Sequence, residues 1–108
     1  MHRQLAKSSL RRLADAAFVV VNPVHIAVAL EYRPPIVMVP RVLVRAADAA
    51  ALRVRTAANG LDIPIVRNAL LARALFSGTR AGDAVPRDTY VALAEIIIAL
   101  RHNEAMER

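Results

Sequence analysis

Four consecutive residues, Asn22-Pro23-Val24-His25, carry the part of this sequence best suited to chemistry. An asparagine in a peptide can cyclise by two routes. In the common one, the next residue's backbone nitrogen attacks the side-chain amide and the asparagine deamidates. Proline has no N–H, so that route is closed at Asn22. The other route sends the Asn22 side-chain nitrogen onto the residue's own carbonyl carbon, which forms a succinimide and breaks the chain before Pro23. An amide nitrogen is a poor nucleophile, so the reaction depends on a held geometry. Intramolecular positioning can contribute roughly 7 to 11 kcal/mol to such a step. His25 is close in sequence, and imidazole is the side chain suited to moving a proton near neutral pH. Backbone N–H groups at the carbonyl would stabilise the developing oxyanion, but the sequence does not locate them. Asn-Pro is also an ordinary turn dipeptide, and a histidine at a strand start is commonly structural, so spacing alone does not establish the reaction.

The elements around the motif must supply the geometry. Phe18-Val19-Val20-Val21 is a β-branched run suited to a buried strand, and Asn22-Pro23 ends it. A second strand is expected from about His25 to Tyr32, stopping before Pro34-Pro35, and a third from Ile36 to Val44, with Pro40 at a bulge or on an edge. Before them, residues 3 to 14 read as a basic helix with Leu5, Leu10 and Leu13 on one stripe.

After them, Asp48 is expected to cap a helix over Ala49 to Ala58, which Asn59-Gly60 stops. Ile63 to Val66 reads as a short strand with Pro64 at its start or edge. Asn68 caps a helix to about Phe76, with Leu71 and Leu75 on one face. Pro86 opens the last helix, in which Tyr90, Leu93, Ile97 and Leu100 recur at helical spacing. The order α, β, β, β, α, β, α, α predicts an α/β (α+β-like) domain, a small mixed sheet of about four strands surrounded by about four helices. Tyr32 to Pro35 and Arg41 are expected to form exposed surface near the Asn22-Pro23 turn.

Composition bounds the rest. At 108 residues there is room for one domain. Hydrophobic residues make up 56% but aromatics only 4%, so Val, Ile, Leu and Ala must build the core. With no cysteine there is no disulfide framework and no cysteine-based zinc site. Histidines at positions 2, 25 and 102 do not suggest a metal site, and no cofactor is expected. The apolar run Ala16 to Leu30 is broken by Asn22, Pro23 and His25, short of the roughly 18 to 20 residues of a membrane helix. The net charge is +6, and His2, Arg3, Lys7, Arg11 and Arg12 all precede the first acidic residue, Asp15. Such a cluster suits anionic lipid, nucleic acid or an acidic protein face, or simply a solvated helix.

The sequence Val19 to Leu30 around the motif resembles the signature of the FlhB/YscU family, export-switch proteins of flagella and type III injectisomes, whose motif is usually Asn-Pro-Thr-His. The resemblance continues through Pro40 to Asp48, Ile63 to Asn68, Leu70 to Phe76 and the helix from Pro86 to Leu100, which is nearly the whole chain in order. It implies a type III secretion domain that cleaves itself between Asn22 and Pro23 and controls the switch in exported substrates. Asn22, Pro23 and His25 would be the catalytic residues, with Val24 supporting the motif in place of threonine. This would be a single-turnover intramolecular event, not turnover catalysis.

The resemblance further implies a basic linker helix over residues 1–14 and the autocleaving domain over residues 15–108, at the cytoplasmic face of the bacterial inner membrane. The implied partners are the export gate and other export-apparatus proteins, the length-control (ruler) protein and exported substrates, with membrane proximity through a transmembrane region absent from this sequence. A non-cleaving, stand-alone paralogue of the family is the alternative. A nucleic-acid-binding module fits less well, because the arginines are dispersed and Phe18, Tyr32, Phe76 and Tyr90 make no stacking platform, so no nucleic acid is expected. Conventional hydrolase motifs are absent.

Overall fold

The structure, a computed structural model, describes residues 7–106, with side chains as far as residue 103. The elements run α1 (Lys7–Leu13), β1 (Phe18–Asn22), β2 (Ile26–Arg33), β3 (Val37–Ala47), α2 (Asp48–Gly60), β4 (Ile65–Arg67), α3 (Ala69–Gly78) and α4 (Tyr90–Met106). The expected start of the first helix, with Leu5, His2 and Arg3, lies outside the described residues.

The sheet order is β3-β2-β1-β4, so the β-branched run forms an inner strand. β1 pairs antiparallel with β2 from Phe18↔Leu30 to Asn22↔Ile26, and parallel with β4 from Val19↔Ile65 to Val21↔Arg67. Alternation then divides β1 between two cores. Val19 and Val21 join Ala27, Ala29, Val44 and Ala46 under α2, which contributes Ala51, Val54 and Ala58. Leu13, 1% exposed, packs the end of α1 into the same cluster. Phe18 and Val20 join Val28, Leu30 and Val42 under α3 and α4, which contribute Leu71, Ala72, Leu75 and Leu93. The expected mixed four-strand sheet with four helices is present, with helices covering both faces.

Local chemistry explains most boundaries. β3 and β4 are the edges of the four-strand order; Pro40 lies within β3 and Pro64 immediately precedes β4, positions at which a sheet tolerates proline. Pro40 also lies in a stretch where the β2–β3 register shifts, between Glu31↔Arg41 and Arg33↔Val37. Asn68 caps α3 as expected, its Oδ1 accepting from the Leu71 N–H at 3.1 Å. Pro86 opens a 3-10 turn, Arg87–Thr89, which leads into α4. Arg45 on β3 donates from Nη2 to the Phe76 carbonyl at 2.6 Å and stacks 4.0 Å from the Phe76 ring centre, holding the end of α3 to the edge strand.

Two expectations are corrected. Asp48 is not the cap of α2 but its first residue, with φ 52°; the capping position is Ala47, in extended conformation. Tyr32 to Pro35 and Arg41 do not lie near the Asn22-Pro23 turn. β2 begins beside that turn and carries Tyr32 to its far end, where Arg41 pairs with Glu31. Strand direction separates these groups by about 20 Å at roughly 3.3 Å per residue.

Candidate functional site

The Asn22-Pro23 bond sits at the tip of the β1–β2 hairpin. Asn22 ends β1 opposite Ile26, so only Pro23, Val24 and His25 lie between the paired positions. Asn22 is half-buried, and by strand alternation it falls on the α3 side of the sheet with Phe18 and Val20. Beside it, the Asn68 N–H donates to the Val21 carbonyl at 3.0 Å, which fixes the end of β1 against the start of α3.

The turn is closed by the His25 backbone N–H, which donates to the Asn22 carbonyl oxygen at 3.0 Å. That oxygen belongs to the carbonyl that an attacking Asn22 side chain would reach. A backbone donor is therefore already aimed where oxyanion charge would develop. Pro23 occupies the second turn position, for which its fixed φ is suited. Val24 follows with φ 69°, the left-handed value that a type II turn requires at its third position, where glycine or asparagine is the usual occupant. A β-branched residue there stores strain on the order of 1–3 kcal/mol. The Val24 side chain offsets little of this by burial, since the residue is 69% exposed.

His25 is tied a second time. The β2–β3 register, Ile26↔Ala47, brings Asp48 opposite His25 one step further out. The Asp48 N–H donates to the His25 carbonyl at 2.9 Å, and the Asp48 Oδ1 lies 4.0 Å from the His25 Nδ1. Both side chains are largely solvent-facing, 69% exposed for His25 and 85% for Asp48. Asp48 is the residue the sequence reading missed. Its only local signal, an acidic residue before an alanine run, is that of a helix start. Among the described residues no group of acidic and histidine side chains is arranged to hold a metal ion. No helix among them is long and apolar enough to cross a membrane.

The model of the FlhB HrpN YscU SpaS family matches residues 1–100. Flagellar biosynthetic protein FlhB of Yersinia enterocolitica is 39% identical over 98 residues, covering 88% of this chain and 26% of that protein. Hypersensitivity response secretion protein HrcU of Ralstonia nicotianae is 41% identical over 85 residues, covering 79% of this chain and 24% of that protein. The chain thus spans about a quarter of the length of the curated relatives it matches. Among solved structures, the cytoplasmic domain of FlhB from Shewanella putrefaciens superposes with a TM-score of 0.80 at 28% identity, covering 90% of this chain and 77% of that one. A mutated EscU C-terminal domain superposes with a TM-score of 0.82 at 28% identity, covering 87% of this chain and 94% of that one.

Proposed function

Because the chain belongs to the FlhB HrpN YscU SpaS family of flagellar and type III secretion export-apparatus proteins, we propose that it is a switch domain that cleaves itself between Asn22 and Pro23. The observation that supports this most strongly is the His25 N–H on the Asn22 carbonyl oxygen, in a turn whose proline excludes the competing deamidation. In the proposed reaction the Asn22 side-chain nitrogen bonds to the Asn22 carbonyl carbon. The bond from that carbon to the Pro23 nitrogen breaks. One proton leaves the side-chain amide and one arrives on the Pro23 nitrogen, which departs as a secondary amine. In this reading the His25 imidazole relays that proton. The remaining succinimide then opens with water.

The cut would leave the two pieces together. Residues up to Asn22 include all of β1, held between β2 and β4. Phe18, Val19, Val20 and Val21 are each buried, and burial of four such side chains stabilises by roughly 6 to 12 kcal/mol before ladder bonds are counted. Breaking the turn changes the surface at Pro23, Val24 and His25 while the sheet stays whole.

In this reading the altered tip changes how the domain meets the export gate and other apparatus proteins, the ruler protein and exported substrates, and so shifts which substrates leave. The basic leading helix links the domain to a membrane region at the cytoplasmic face of the inner membrane. Amino-terminal sequencing of the released carboxy-terminal piece tests the cut, which should begin Pro23-Val24-His25. A different start or no second amino terminus would contradict it.

A further inference from the structure

Asp48 comes from a different element than the cleavage motif, yet it meets His25 through both backbone and side chain. We infer that Asp48 is a positioning residue for His25, an inference that rests on the self-cleavage reading above. It holds the His25 peptide in place for its bond to the Asn22 carbonyl, and it turns Nδ1 of the imidazole toward its own carboxylate.

The backbone arm follows from the two hydrogen bonds at His25. Its N–H goes to Asn22 at 3.0 Å and its carbonyl receives the Asp48 N–H at 2.9 Å, so the peptides flanking His25 are anchored at each end. Asp48 makes the second anchor with its backbone at φ 52°. Aspartate tolerates that conformation better than the alanines that follow it in α2. The side-chain arm is electrostatic, because 4.0 Å is longer than a hydrogen bond. A carboxylate at that distance favours the tautomer with its proton on Nδ1, which leaves Nε2 as the basic nitrogen. In the self-cleavage reading, Nε2 is then the nitrogen that takes the proton from the Asn22 amide.

The competing explanation is that an acidic residue simply suits the positive end of α2. Asp48→Asn separates the two, since asparagine also tolerates the left-handed backbone and keeps the N–H. Fragment appearance should slow by roughly two- to fivefold, the size expected for an exposed charge pair. In a His25→Ala background the same substitution should change nothing further. An unchanged rate, or the same slowing without the imidazole, would overturn the inference while leaving self-cleavage intact.

A second readout needs no cleavage. In the Asn22→Ala chain at alkaline pH, imidazole ¹⁵N shifts should show the Nδ1–H tautomer, and its share should fall with Asp48→Asn. No change in those shifts would overturn the proposed orientation whatever the chain's reactivity. If the parent chain never cleaves, the positioning role fails together with the self-cleavage reading, even where the tautomer shift is seen.

Discussion

The His25 backbone N–H and the Asn22 carbonyl oxygen are joined by a 3.0 Å hydrogen bond across the tip of the β1–β2 hairpin. One bond thus serves two purposes. It closes the turn that brings β2 back along β1, and it polarises the carbonyl at which the chain would break. Fold and proposed chemistry depend on the same four residues.

Replacing Pro23 with alanine restores the N–H that proline lacks and reopens the common cyclisation route. Peptide mapping of Pro23→Ala should then show conversion of Asn22 to aspartate and isoaspartate during incubation. A chain that keeps an unmodified asparagine would show that the folded turn, not proline, blocks deamidation.

Relief of strain at Val24 should be measurable as stability. In an Asn22→Ala background, which removes the nucleophile, Val24→Gly should raise unfolding stability by about 1 kcal/mol in urea titration, because glycine takes φ 69° without penalty. Val24→Thr keeps the branched side chain at an exposed position and should stay within about 0.5 kcal/mol of its parent. A destabilised glycine variant would mean that Val24 is not strained.

Retention of the amino-terminal piece should depend on Phe18. This side chain is fully buried against Val20, Val28, Leu30 and the α3–α4 layer. Phe18→Ala should cost about 3–5 kcal/mol. In a cleaved sample it should release the piece ending at Asn22 on native size-exclusion chromatography, while the parent pieces co-elute. Co-elution of both would place the retention energy elsewhere.

Arg45 should matter modestly. It combines a hydrogen bond to the Phe76 carbonyl with stacking on the Phe76 ring, but it is exposed. Arg45→Ala should lower stability by about 1 kcal/mol, and Arg45→Lys should recover only part of it because lysine lacks the planar stacking face. Full recovery with lysine would reduce the role of Arg45 to charge alone.

Much of this was legible in the sequence because the controlling interactions are local. A β-branched run names β1, and the Asn68 cap names the start of α3. The proline at the scissile bond also states which chemistry is closed. Other features depended on pairing between distant segments. Asp48 reads locally as a helix cap, and only the β2–β3 register places it opposite His25. Tyr32 to Pro35 and Arg41 read as neighbours of the turn until the direction of β2 carries them to the far end. The left-handed Val24 runs against the residue's own preference, and the tight hairpin imposes it. Local signals name the elements, while the site is assembled by register.

The most direct measurement is the intact mass of the purified chain under denaturing conditions after incubation at neutral pH. Self-cleavage predicts two species, one ending at Asn22 and one beginning at Pro23, with Asn22→Ala remaining whole. Only full-length chain after long incubation, or cleavage that survives Asn22→Ala, would contradict it.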